Sequence, residues 1–260
     1  MKNLVGIFSQ CRSGVAKVVV EASNREHIGT GSAFLTQGGI VTNSHVVRNP
    51  GCAIVEIQFE GASSPIRIEP HKLIKIESSE KEKDFAFLEM DEPEFENRYR
   101  FEMDPEEDIS VGQQVAFMGF PFGMSHLTSH LAYISSIHEQ AGVSVIQIDG
   151  SVNGGNSGGP LLSVETGKVV GIVTRAHTGL IEVQFRELLQ SFQTNQQHFA
   201  RVKGAVSLAG IDPMDAFSVT HAIMERIARD LHRSANVGIG YAFSVKHFSE
   251  ALQKNHPIQS

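Results

Sequence analysis

No apolar run in this chain approaches the ~20 residues that a bilayer-spanning helix needs, so no membrane span is expected. Basic residues are short as well: 22 Lys and Arg face 29 Asp and Glu, a net charge of −7, and nothing reads as a basic run. Phosphate binding needs such a patch, so neither nucleic acid nor an anionic membrane surface is an expected partner. Cysteine is nearly absent, with only Cys11 and Cys52. Residues 1–10 carry neither an apolar core of secretory length nor a small-residue cleavage site before Arg12 and Lys17 intervene. Two reduced, unlinked thiols and a cytoplasmic location are therefore expected. A metal-ligand set is missing too. His126 and His130 would share a face on a helix, but they fall in an expected strand with no Cys or acid to complete them. The acids between Glu92 and Glu107 read as a solvated crossover. No metal and no cofactor is expected.

What the chain does have is one stretch dense in glycine. Asp149 to Pro160 holds five glycines in twelve residues around Ser157. A backbone with so few Cβ atoms can take positive φ and turn successive N–H groups toward one point. The amides of Gly155 and Ser157 could then stabilise an oxygen on the carbon that Ser157 Oγ attacks. Taken alone, Gly-Asn-Ser-Gly-Gly-Pro also reads as an ordinary surface turn with an exposed hydroxyl. Two upstream segments favour the catalytic reading. Residues 29–36 and 39–47 read as two strands joined by a Gly-Gly hairpin turn and ending at His45. Lys83-Asp84-Phe85-Ala86-Phe87-Leu88 sets Asp84 at the mouth of a third apolar run.

A serine oxygen is a poor nucleophile until an imidazole takes its proton, and a carboxylate holds that imidazole in the right tautomer. The chain order His45, Asp84, Ser157 is that of the chymotrypsin template. Gly155-Asn156-Ser157-Gly158-Gly159 also satisfies the G-x-S-x-G pattern of the α/β-hydrolases. That fold needs a helix directly after the serine, and its acid and histidine downstream; here a β-run follows, and both partners lie upstream.

Thr42-Asn-Ser-His-Val-Val47, Asp84-Phe-Ala86, Gly119-Phe-Pro-Phe-Gly123 and Gly154-Gly-Asn-Ser-Gly-Gly-Pro-Leu161 together resemble the trypsin-like serine peptidases, and most closely their HtrA/Deg branch. The resemblance runs from about Gly14 to His177 and resumes at Val237–Phe243. It implies an all-β fold of two antiparallel six-stranded barrels, peptide or protein substrates, and a serine endopeptidase acting through an acyl-enzyme. His45 becomes general base, Asp84 its orienting acid and Ser157 nucleophile, with Gly155 and Ser157 forming the oxyanion hole. The same resemblance assigns Thr174, Arg175 and Ala176 to an edge that pairs with extended substrate, and Ser151 to the base of the specificity pocket. With no acid at Ser151, a small or medium aliphatic residue is expected before the scissile bond. Asn156 stands where digestive relatives carry an Asp that pairs with a freed N-terminus, so that switch is not expected here. No PDZ domain is expected after the two barrels. The competing reading is a catalytically silent peptidase fold that binds or scaffolds.

Two halves are expected: residues 1–95 carrying His45 and Asp84, and residues 108–260 carrying Ser157, with the acidic span 92–107 linking them. Phe185, Leu188, Leu189 and Phe192 follow the i, i+3, i+4, i+7 rule of an amphipathic helix. Asp212-Pro213 starts another, with Asp215 in its first turn. A two-helix insertion over 180–235 is therefore expected to interrupt the second barrel and to dock a regulatory partner. A last helix is expected over 245–254, packing Phe248 and Leu252 onto a barrel.

Overall fold

The computed structural model describes residues 4–79, 82–140, 142–174, 179–204, 212–234 and 238–255. Helix α1 (Leu4–Cys11) leads into strands β1 (Val15–Ala22), β2 (His27–Thr36) and β3 (Gly39–Thr42), followed by the one-turn helix α2 (Ser44–Val47). β4 (Cys52–Phe59), β5 (Ile66–Ile68), the turn of helix α3 (Pro70–Leu73), β6 (Ile74–Ser78) and β7 (Phe85–Glu89) complete the first half. These strands form one antiparallel sheet of seven in the order β5-β4-β1-β2-β3-β7-β6. It has one strand more than the six expected. Pro70, with φ already helical and no N–H to offer a ladder, starts the turn that separates β5 from β6.

β8 (Gln114–Gly119), β9 (Thr128–Gln140), β10 (Val143–Ile148), β11 (Pro160–Ser163), β12 (Val169–Thr174) and β13 (Gly240–Ser244) close into a six-stranded antiparallel barrel, ordered β10-β13-β12-β11-β8-β9. Only the second sheet closes; the fold is mostly β, a closed barrel beside a half-barrel, consistent with the double-barrel type that the motifs imply. Between β12 and β13 the chain carries α4 (Gly179–Val202) and α5 (Pro213–Ser234), and it continues past β13 into α6 (Val245–Asn255).

Strand periodicity explains how the two sheets meet. Side chains alternate between faces of a strand, so a strand apolar at consecutive positions can serve two cores at once. On β2, Ala33 and Leu35 enter the first sheet's own core, while Phe34 faces a shared cluster. β7 does the same with Ala86 and Leu88 against Phe85 and Phe87. From the other side, β8 places Val115 and Phe117 inside its barrel and gives Ala116 and Met118 to the shared cluster. Both sheets belong to one compact unit.

The acidic span is more than a linker. Phe101 N–H donates to Leu35 O (2.8 Å) and Asp104 N–H to Val169 O (2.9 Å), which stitches the crossover to both halves. α1, legible in the sequence only as an apolar start, buries Ile7 and Cys11 in the shared cluster. Cys11 and Cys52 are both free thiols.

α6 adds Val245 and Phe248 to the same cluster, and Phe248 meets Phe85 and Phe87 edge-to-face at 5.5 and 5.8 Å between ring centres. Burying a side chain of this size contributes about 1.5–3 kcal/mol. Its neighbour His247 is buried, and Nε2 accepts the Ser144 N–H at 2.8 Å, which requires the neutral ring. Burial lowers its pKa below the ordinary 6.5; the Lys83 charge lowers it further, and Glu250 and Glu139 oppose.

As pH falls through the ordinary value, the unfolded chain takes up this proton first, so stability is full above that value and declines below it. Urea midpoints compared at about pH 7.5 and about pH 5.5 should drop less in His247→Gln, which keeps an acceptor without titrating, than in the wild type. Equal drops would show that His247 carries none of the acid sensitivity.

Residues 177–236 form a second compact unit. Asp212 caps α5 as its sequence position suggests: Oδ1 accepts Met214 N–H (2.9 Å) and Oδ2 accepts Gly204 N–H (2.7 Å). Those two bonds lower the pKa of its carboxyl, the Gly204 bond most. α4 meets α5 around His221, which takes Phe192 and Phe199 edge-on at 4.9 and 5.4 Å. Val219, Ile223, Met224 and Ile227 of α5 are exposed. Among the described residues no helix is long and apolar enough to cross a membrane.

Candidate active site

Register places the histidine and the acid. β3 and β7 run antiparallel with Thr42 opposite Ala86, so the chain leaving β3 lies beside the chain about to enter β7. His45 sits in the α2 turn just past β3, not at the end of a strand, and Asp84 lies one residue before β7. Buried Asn43 fastens the two segments, its Nδ2 donating to Asp84 O at 2.6 Å. Asp84 takes φ +44°, a left-handed conformation that a short polar side chain tolerates better than most.

The Asp84 carboxylate is buried, and every partner it has is a donor. Oδ2 accepts from His45 Nδ1 at 2.7 Å and from Thr174 Oγ at 2.8 Å, while Oδ1 accepts the His45 backbone N–H at 3.0 Å. A ring nitrogen facing a carboxylate carries the proton. His45 Nε2 is therefore the free lone pair, on the side of the ring away from Asp84.

The loop around Ser157 is built on glycine where nothing else fits. Gly155 and Gly158 have φ of +98° and +88°. A Cβ at Gly155 would collide with the Phe120 carbonyl, and one at Gly158 with the Ser32 carbonyl and the Thr42 hydroxyl. Gly158 N–H donates to Val173 O (2.8 Å) and Val173 N–H to Gly159 O (2.9 Å), which ties the loop to the strand whose last residue, Thr174, holds Asp84. From the other half, Ser32 N–H donates to Ser157 O at 2.8 Å. Ser157 is thereby fixed between the two sheets, on the same framework as His45 and Asp84.

Two further details bear on chemistry. Gly154 O accepts the Phe122 N–H at 2.6 Å; across a trans peptide the Gly155 N–H must point the opposite way. Among the described residues, neither the Gly155 amide nor the Ser157 amide donates to any acceptor. The Ser157 hydroxyl, expected at the surface, is instead buried: the residue is 2% exposed and Oγ makes no hydrogen bond. The glycine loop is sunk between the sheets, where a surface turn would have left the hydroxyl in water.

The segments that carry this glycine loop, this histidine and this carboxylate have counterparts among known sequences. The sequence model of the family described as "Trypsin-like peptidase domain" matches residues 29–172. The chain belongs to that family. Within it, the domain is 33% identical over 161 residues to the chloroplastic Protease Do-like 1 of Arabidopsis thaliana, covering 58% of this chain and 34% of that protein. It is 32% identical over 163 residues to a probable periplasmic serine endoprotease, DegP-like, of Halomonas elongata, covering 60% and 31%. This trypsin-like domain therefore spans about a third of the length of the curated relatives it matches. Among solved structures, the HtrA-type protease AlgW with a tripeptide superposes with a TM-score of 0.61 at 20% identity, over 97% of this chain and 63% of that one. That likeness is one of fold.

The remaining site residues of the peptidase domain separate into three groups. Ser151 is exposed at the start of the glycine-rich loop, with Val152 buried behind it against Gly240. Thr174, expected on the substrate edge, turns its hydroxyl onto Asp84, a contact that strand periodicity alone did not suggest. Arg175 and Ala176 lie outside the described residues. His126 is exposed, and half-buried His130 stacks on Phe117 at 4.6 Å, with burial lowering its pKa. No group of three His, Cys, Asp or Glu among the described residues could hold a metal.

Proposed function

We propose that the domain is a serine endopeptidase that cleaves peptide bonds through His45, Asp84 and Ser157. The observation that carries this reading is the environment of Asp84, whose three hydrogen bonds, two of them to His45, leave His45 Nε2 as a base. Ser157 Oγ rotates to that nitrogen, gives it the proton and attacks the scissile carbonyl carbon. The oxygen of the resulting tetrahedral intermediate takes the Gly155 and Ser157 amides, donors that hold no other acceptor. Collapse returns the proton from His45 to the departing amine and leaves an ester on Ser157. Water, deprotonated by the same imidazole, then releases the acid and restores the hydroxyl.

The second reading, a peptidase fold that holds peptides without cutting, draws on one observation: Ser157 Oγ is buried and bonded to nothing. Incubating the purified domain with proteome-derived proteins and sequencing the new termini separates the two. The account expects new termini enriched in small or medium aliphatic residues on the acyl side of the cut, because Ser151 brings no charge to the pocket. An absence of new termini favours the silent module, and a profile dominated by Arg and Lys contradicts the role of Ser151.

Residues 180–235, expected to dock a regulatory partner, expose Val219, Ile223, Met224 and Ile227, which would equally suit an apolar segment of a protein substrate. The same assay on a chain with 180–235 replaced by a short Gly/Ser linker tests this, since loop length enters closure entropy only logarithmically. Short peptides should be cut as before and proteins more slowly. Equal cleavage of both would leave the helices without this part.

A further inference from the structure

Ser32 lies on β2, in the half opposite the nucleophile, and is 0% exposed. Every polar atom it has is engaged. Its N–H donates to Ser157 O (2.8 Å), and its carbonyl accepts the Thr42 hydroxyl (2.8 Å). Oγ donates to Gly155 O at 2.6 Å and accepts the Phe120 N–H at 3.0 Å. The side chain of one residue therefore bridges two segments that converge on Gly155.

Gly155 stands between two peptide planes, and both need to be held if its N–H is to stay aimed into the cleft. The preceding plane is held through Gly154 O by Phe122 N–H (2.6 Å), from the tight turn Pro121–Gly123. That turn is anchored at its entry by the bond from Phe120 N–H to Ser32 Oγ. The following plane is held directly, through Gly155 O, by the same hydroxyl. Gly154 and Gly155 have no Cβ, so their own sterics resist plane rotation less than any other residues would. Freed of these bonds, the Gly154–Gly155 plane can turn over and present a carbonyl, not an N–H, to a developing oxyanion.

We propose that Ser32 is a positioning residue that presets the oxyanion hole, fixing the plane after Gly155 with its donor and the turn before it with its acceptor. This rests on the serine-peptidase reading above. None of the hydrogen bonds of Ser32 goes to His45 or Asp84, so its effect falls on transition-state stabilisation and not on the base.

The test compares wild type with Ser32→Ala and Ser32→Cys, the latter keeping a similar volume but donating weakly. Each is assayed for kcat and KM on a peptide substrate, and for inhibition by a peptide boronate, whose tetrahedral adduct on serine occupies the oxyanion hole. Urea unfolding of each variant confirms that it is folded at the assay temperature; if Ser32→Ala is not, Ser32→Cys carries the comparison. The expected result is a fall in kcat of about 10- to 100-fold, below the ~10²–10³ that removing an oxyanion donor itself costs. KM should stay within about threefold, and boronate affinity should weaken in parallel with kcat/KM. Folded variants with wild-type kcat overturn the proposal, as does a loss of kcat with unchanged boronate affinity. A wild type with no turnover at all overturns the peptidase reading and this inference with it, whereas an active wild type matched by its variants overturns this inference alone.

Discussion

Ser157→Ala is expected to abolish peptide cleavage, with a loss on the order of 10⁶ in kcat, and to leave a residue of roughly 10³- to 10⁴-fold over water from binding and the oxyanion amides. The size of the effect follows from the chemistry: without Oγ no acyl-enzyme forms, and His45 has no proton to accept from a nucleophile. The structure adds an expectation about folding. A buried hydroxyl without a partner costs stability, because it gave up its hydrogen bonds to water on folding, and Ser157 Oγ is such a group. Its removal leaves no other group unpaired, so the urea midpoint of the variant should equal or exceed that of the wild type. Catalysis lost with stability kept is the signature of a group held for its reactivity. Turnover within tenfold of wild type would remove Ser157 from the mechanism.

Asp84→Asn is expected to lower kcat by about 10⁴. Wild-type Asp84 meets donors only: His45 Nδ1, the His45 backbone N–H and the Thr174 hydroxyl. An amide has one oxygen for these three. If that oxygen serves the backbone N–H, the NH₂ faces Nδ1 and forces the ring into the tautomer that puts a hydrogen on Nε2, where the base must be. The substitution is otherwise gentle, since asparagine is as tolerant as aspartate of the left-handed backbone found at φ +44°. Measured kcat with unchanged KM is the check, together with a fluorophosphonate labelling rate that falls in step. A variant retaining wild-type kcat would show that the carboxylate orients nothing of consequence.

These two residues, with His45, were legible in the sequence because each sits at the end of a short, strongly patterned run, and the resemblance of four such runs to one family fixed their order. The helical insertion was legible for the same local reason: an Asp-Pro start and an apolar stripe at helical spacing. What was not legible depends on contacts between residues far apart in the chain. Ser32 reaches Gly155 across 123 positions and Thr174 reaches Asp84 across 90. A serine or threonine inside a strand carries no local mark of such a partner. His45 leaves its strand for a helical turn, and the strand pattern of Val41 and Thr42 gives no warning of the change. The burial of α1 depends on how the two halves close on each other, a property of the assembled core.

The central claim is that Ser157 is activated by its surroundings in the folded domain, and covalent labelling reads that directly. Native protein treated with a fluorophosphonate loses fluoride from the reagent as Ser157 Oγ bonds to phosphorus, and intact-mass measurement with peptide mapping locates the adduct. The account predicts one adduct per chain, on Ser157, absent after unfolding in urea and absent in Ser157→Ala. A native chain that stays unlabelled, or one labelled elsewhere with Ser157 untouched, would contradict it.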